Sequence, residues 1–286
     1  MRIAWVTPLV KHAAIGRFSL LVTRELAKLG HEIRIIRCEA RFEPEAPVLA
    51  IDLPVTHVRQ IDPAKLGQEV DLTIINFGNN FALHAGALDM LAAQPCLGIF
   101  HDFCLIGLLD GWANATGATG DDYEAQIIAT YGEGARETAR QAREGSLSLP
   151  AIANRMPMTE WLAAKCAGAM AHAEFYLPRL RRACAGPVAV APLAYALEHP
   201  SPASERRDGR LILATFGDIV ANKCAAEIIA AIASAPSLRE RLEYHLIGAI
   251  AADERARLQD LADAAGFTGL RIHGRVEEEA FLRHLA

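Results

Sequence analysis

The residues best suited to chemistry are His101 and Asp102, which end the short apolar run Leu97-Gly98-Ile99-Phe100. An imidazole beside a carboxylate can carry a proton or hold a sugar hydroxyl. With Pro95 before it and Phe103-Cys104-Leu105 after it, the run reads as a buried strand of a parallel sheet that opens at its carboxyl end into a loop. Open α/β sheets bind ligands at that edge. The same two residues also suit plainer tasks, capping the next helix or satisfying each other. A second apolar run, residues 71–77, delivers Gly78-Asn79-Asn80 to the same rim, where each asparagine either shapes a turn or bonds a sugar hydroxyl.

A second group lies further along the chain. Residues 211–216 read as a strand, Gly217-Asp218 as its turn and residues 221–233 as the following helix, with Lys223 at the amino end. A lysine beside unpaired helix N–H groups can neutralise a diphosphate that also benefits from the helix dipole. As a merely solvated first-turn residue it would oppose that dipole. Gly274-Arg275, after a strand at 270–273, is either a plain turn or a ligand contact. Gly16 stands alone in the first strand-to-helix connection, where it serves close packing or ligand approach; no Gly-x-Gly-x-x-Gly fingerprint accompanies it.

These residues need a scaffold, and the hydrophobic pattern supplies one. Residues 3–6 form a first strand stopped by Thr7-Pro8; Leu20, Leu21, Leu26 and Leu29 mark a helix closed by Gly30; residues 31–36 form a second strand. This is a βαβ start. Residues 39–70 are proline-rich and uneven, consistent with short connecting strands and turns, and 84–93 form a short helix. The stretch from Leu105 to about Gly145 has apolar positions too small to fix a packing, and reads as a helical lid, an acceptor-side excursion or a mobile surface insertion. A helix at 156–169 and strands at 170–172 and 187–191 complete the first half. The segment His199-Pro200-Ser201-Pro202 through Asp208 has no apolar periodicity and is the best boundary in the chain. The expected organisation is a Rossmann-like domain at 1–196, a linker at 197–209 and a second unit at 210–286. That second unit, with further strands at 243–248 and 270–273 and helices at 253–265 and 277–285, makes a half-built parallel sheet whose remaining edge would need covering.

Composition narrows the function classes. The 286 residues, 52% hydrophobic, suffice for two modest cores. A formal charge of -5 asks for no nucleic-acid partner. The six cysteines form no Cys-x-x-Cys pair and no His-Cys cluster at metal-ligand spacing, which fits a reducing, cytoplasmic setting and predicts no metal site. No charged and apolar leader pattern opens the chain and no run of about 18 apolar residues occurs, so a membrane span is not expected; peripheral membrane contact is left open.

With these residues collected, the sequence resembles a two-Rossmann-domain glycosyltransferase of the GT-B type, in the large family called group 1 or family 4. The resemblance runs from Arg2 to the last residue. It is carried by Thr7-Pro8 with Ile15-Gly16-Arg17, Leu26-Ala27-Lys28-Leu29-Gly30-His31-Glu32-Ile33, Phe77-Gly78-Asn79-Asn80, Phe100-His101-Asp102, His172-Ala173-Glu174-Phe175, and Phe216-Gly217 with Lys223. The resemblance implies an α/β fold of two Rossmann-like domains facing each other across a cleft, the first holding the acceptor and the second most of the nucleotide sugar. It implies that Gly16 approaches the donor phosphates or acceptor, that His101 contacts the transferred sugar near its primary hydroxyl with Asp102 orienting the imidazole, that Gly217 and Lys223 hold the diphosphate, and that Gly274-Arg275-Val276 lies near the base. The implied reaction is transfer of a sugar from a UDP- or GDP-linked donor to a hydroxyl acceptor with retention of anomeric configuration, without a metal or resident cofactor.

Three departures stand out. Ala14-Ile15-Gly16 lacks the first glycine of the family's Gly-x-Gly; Asp218 stands where many members carry arginine and would repel a diphosphate unless turned away or paired; and the Glu-x7-Glu segment that holds the donor sugar is not reached by Ala286. The last of these keeps a rival reading in play, a non-catalytic acceptor-binding or scaffolding module that requires a partner. A nucleotide-dependent epimerase fits less well, given the absent glycine fingerprint and the mid-chain linker.

Overall fold

The computed structural model describes residues 1–11, 13–43, 48–147, 149–194 and 210–285. The chain divides into two compact units, Met1–Ala196 and Leu197–Ala286. The segment expected to link them, 197–209, lies outside the described residues.

The first unit is a parallel sheet wrapped by helices. Its elements run β1 (Arg2–Thr7), α1 (Ala14–Lys28), β2 (Glu32–Arg37), β3 (Val55–His57), α2 (Pro63–Glu69), β4 (Leu72–Phe77), α3 (Phe81–Ala93) and β5 (Leu97–Phe100). Then come α4 (Ile106–Thr116), α5 (Gly120–Tyr131), α6 (Arg136–Arg143), α7 (Leu149–Arg155), α8 (Thr159–Ala163), β6 (Gly168–Ala171), α9 (Leu177–Ala183) and β7 (Val188–Val190). The strand order is β3-β2-β1-β4-β5-β6-β7, every pairing parallel. The order reverses between β1 and β4, the switch point at which such sheets leave a crevice beyond their carboxyl ends. Continuous apolar runs suit these strands because both faces are covered: Ile75, Phe77 and Phe100 pack into one core, and Ile3, Trp5, Ile35 and Ile74 into another.

The 105–145 stretch is neither a lid nor a mobile insertion. Leu105, Leu108, Leu109, Tyr123, Ile127 and Ala139 are buried in the same core as Phe77 and Phe100, and α8 adds Trp161 and Leu162. Polar ties close the assembly: Tyr131 Oη donates to Glu160 Oε2 at 2.7 Å and accepts from Met158 N at 2.7 Å, while Arg179 Nη1 reaches Glu160 Oε1 at 2.6 Å. Small residues along the stretch concealed a sparse set of large apolar anchors one helical turn apart. The helix expected over 156–169 is shorter, because Met158 takes a left-handed backbone (φ 63°) immediately before α8.

The second unit comprises β8 (Leu211–Phe216), α10 (Ala225–Ala233), α11 (Pro236–Arg239), β9 (Leu242–Ile247), α12 (Ala252–Ala264), β10 (Leu270–Gly274) and α13 (Glu278–Leu285). Its described strands pair in parallel in the order β10-β9-β8. Tyr244, Leu246, Ile229, Leu258 and Phe267 form a core of their own. Among the described residues no helix is long and apolar enough to cross a membrane.

Candidate functional site

The switch point of the first unit gathers several polar side chains. His101 follows β5 directly, and its N–H donates to Phe77 O at 3.0 Å, extending the β4–β5 ladder by one bond. Its Nε2 lies 3.0 Å from Asn76 Oδ1, and Asn76, fully buried on β4, donates through Nδ2 to Val6 O at 2.9 Å. A carbonyl only accepts, so the Val6 contact fixes the Asn76 amide and turns its oxygen toward His101. The hydrogen of that contact therefore belongs to His101 Nε2, and in the neutral ring Nδ1 carries a lone pair. His172, just past β6, meets that lone pair with its Nε2 at 3.2 Å and places its Nδ1 3.0 Å from Ala191 O.

Packing locks these rings. The Phe18 ring of α1 stands edge-on to both, with centroids 4.7 Å from His101 and 5.1 Å from His172. Tyr176 Oη donates to His101 O at 3.1 Å. Burial, followed by repulsion from His172 and His84, pushes the His101 imidazole down to about 3. His84, at the start of α3, bonds Asn76 O through Nδ1 at 3.1 Å, and burial holds it down at about 4.

Asp102 does different work from the orientation of the imidazole. Its Oδ2 accepts Asn79 N–H at 2.7 Å, and Asn79 Oδ1 in turn accepts the N–H groups of Gly107 and Leu108 at 2.8 and 3.2 Å. Asn79 thus caps the amino end of α4, and the cap satisfies orphan helix donors that an α-helix always leaves. Desolvation raises the Asp102 carboxyl, and the Asn79 N–H partly offsets this. Gly16 lies buried in the first turn of α1; a Cβ there would sit 2.6 Å from Pro8 O and 2.9 Å from Leu49 Cδ1. Close packing accounts for the glycine.

In the second unit the carboxyl ends of the strands again carry the residues of interest. Gly217 adopts φ 92°, which a side chain rarely tolerates, and the Lys223 ammonium lies 3.6 Å from where its Cβ would be. Gly217 N donates to Ile247 O at 3.0 Å and Gly248 N to Gly274 O at 2.9 Å, which ties the three strand ends together. Arg275 and Asp218 pair at 3.8 Å across two exposed loops, so the aspartate has a cationic neighbour. Lys223 belongs to a short turn, Ala221–Lys223, separated from α10 by the left-handed Cys224 (φ 52°). It therefore precedes the helix instead of occupying its first turn.

Sequence reasoning did not single out Asn76, His84 or Phe18, nor the contact of His172 with His101. Asn76 carried the clearest signal, a polar residue inside an otherwise apolar central strand.

No family model matches the chain, and no curated protein matches it. Solved structures do. The fold is similar to that of WaaG, a glycosyltransferase involved in lipopolysaccharide biosynthesis, over 100% of this chain and 73% of that one, with 12% identity and a TM-score of 0.50. It is also similar to a mutant O-GlcNAc transferase of Thermobaculum terrenum, over 99% of this chain and 46% of that one, with 13% identity and a TM-score of 0.50. At such identities the likeness is one of fold alone: the chain shares with these structures an α/β fold of the GT-B type.

Proposed function

We propose that the protein transfers a sugar from a nucleotide diphosphate donor, UDP- or GDP-linked, to a hydroxyl acceptor, with retention of anomeric configuration. The observation that carries this reading is Lys223, whose ammonium lies over the side-chain-free, left-handed Gly217 at the end of β8. A diphosphate approaching Gly217 meets a cation with no Cβ in the way, and Gly274 and Arg275 border the same strand ends. As the glycosidic bond breaks, negative charge grows on the leaving phosphate, and Lys223 with nearby backbone N–H groups stabilises it. In the first unit the His101 ring is engaged at both nitrogens, so it receives a sugar hydroxyl at Nδ1 by exchanging its His172 partner for it. His101 is a sugar-positioning group in this scheme, and no proton transfer is assigned to it. Gly16 allows the close packing that shapes the first loop.

Calorimetric titration of the chain with UDP and with GDP, in chelator and in magnesium, tests the donor side. Saturable binding in chelator is expected, weakened about 10–100-fold in Lys223→Ala by loss of a charge-assisted contact. A folded sample that binds neither nucleotide overturns the transferase reading and favours the acceptor-binding module. Retention is read from the anomeric coupling constant of the product.

A further inference from the structure

Three histidines far apart in the sequence meet on one face of the second unit. His245 lies on β9, His273 on β10 and His284 in the last turn of α13. Tyr244 and Leu246 point into the core shared with α10 and α12, so strand alternation sends Glu243 and His245 to the opposite face. There α13 packs, with Phe281 edge-on to Phe216 at 5.2 Å. His273 Nε2 is 3.1 Å from His245 Nδ1, and the His273 and His284 rings have centroids 4.5 Å apart. One ring nitrogen from each histidine falls within 4.8 Å of the other two.

We propose that His245, His273 and His284 form a binding site for a divalent transition metal of the zinc class. Nitrogens around a tetrahedral zinc stand about 3.3 Å apart at the usual bond length of about 2.0 Å, so modest ring rotations bring this set to coordination distance. Imidazole nitrogens select zinc, nickel, copper or cobalt over magnesium and calcium, which take oxygen ligands. A second feature points the same way. The Nε2 of His245 is buried and has no hydrogen-bond partner among the described residues, while the Glu243 Oε2 carboxylate oxygen lies 3.5 Å away. Glu243 is itself held by Arg210 and Arg271 through Oε1 at 3.0 and 3.1 Å, which leaves Oε2 facing the histidine. Carboxylates so placed receive the outer N–H of a metal-bound histidine and set its tautomer. With that hydrogen on Nε2, the His245 lone pair at Nδ1 faces His273. A metal there ties α13 to β9 and β10, and three protein ligands leave a fourth position for water. This site is independent of the transferase reading, because it uses none of the residues assigned to donor or sugar.

The test uses untagged protein stripped with chelator and returned to Zn2+ or Co2+. One metal per chain after gel filtration, a tetrahedral Co2+ absorption band and a zinc-dependent rise in Tm are expected, with excess Mg2+ producing none of them. His284→Gln, on a surface helix, should keep the circular dichroism spectrum of the parent and lose the Tm rise. Glu243→Gln should retain the metal with affinity reduced about 10–100-fold. His172→Gln should bind as the parent does. Absence of stoichiometric metal overturns the proposal, and so does metal held with unchanged affinity by both His284→Gln and His273→Gln.

Discussion

His172 Nε2 lies 3.2 Å from His101 Nδ1, within a line of polar groups that begins at Val6 O and ends at Ala191 O. Both ends are carbonyls that only accept, so the line needs three ring hydrogens, whereas two neutral imidazoles bring two. Either one contact goes unmade or the rings together hold one positive charge. Burial, with repulsion from His172 and His84, holds the His101 ring in its neutral form, pushed down to about 3. Nitrogen-15 NMR should show His101 as the neutral Nε2–H form throughout pH 5–8. An His101 that titrates near 6.5 would remove the basis of the assignment.

The His172 contact also bears on the donor. If a sugar hydroxyl takes the place of His172 at His101 Nδ1, then His172→Phe, which keeps a ring against Phe18, frees that position in advance. A hydrogen bond worth about 1 kcal/mol no longer competes, so KM for the nucleotide sugar should fall several-fold. Affinity for the bare nucleotide, measured by calorimetry, should not change. An equal change in both would sink the exchange scheme.

Legibility in the sequence followed the range of the interactions. The β1–α1–β2 start, β4 and β5 read correctly because apolar runs bounded by Pro8, Gly30 and Gly78 are local signals. The short β3 was legible only as one of the short connecting strands expected within 39–70; its place was not, since Val55–His57 owes its strand to pairing with Ile35, Ile36 and Arg37 rather than to its own pattern. The reading of Lys223 as a first-turn residue missed by one turn because nothing in the residue types announces a left-handed Cys224. His101 was legible as a strand-end polar group; its partners were not, because Asn76 and His172 come from β4 and the end of β6.

Glu39 is expected to be the most sensitive buried charge of the first unit. Its carboxylate faces Arg37 at 3.3 Å, with both side chains under a tenth exposed, and accepts Leu9 N at 2.8 Å and Val10 N at 3.2 Å. Glu39→Ala strands the guanidinium and two backbone donors, a loss of about 3–5 kcal/mol. Glu39→Gln keeps an acceptor and should cost less. Denaturant midpoints of the two variants decide the order.

Gly16 separates packing from ligand approach. An added methyl at this position meets the Pro8 carbonyl at 2.6 Å, and backbone cannot move aside as a side-chain tip can. Gly16→Ala should therefore destabilise the first unit by about 1–3 kcal/mol. Nucleotide affinity of the fraction that stays folded should match the parent. A variant of unchanged stability but weakened donor binding would reassign the glycine to the ligand.

Acid should weaken the first unit. His84 and His101 have ordinary values near 6.5 when unfolded but are held at about 4 and about 3 in the fold. Between those values the unfolded chain binds more protons, so stability contributed above pH 6.5 declines as pH falls and is gone below the folded values. For His84 the shift corresponds to on the order of 3 kcal/mol. All three tryptophans, Trp5, Trp112 and Trp161, lie in the first unit, so their fluorescence follows its unfolding alone. Urea midpoints monitored this way should drop between pH 7 and pH 4.5, and His84→Gln, which cannot charge, should flatten the drop. A midpoint independent of pH across that window would show that neither histidine is held neutral by burial.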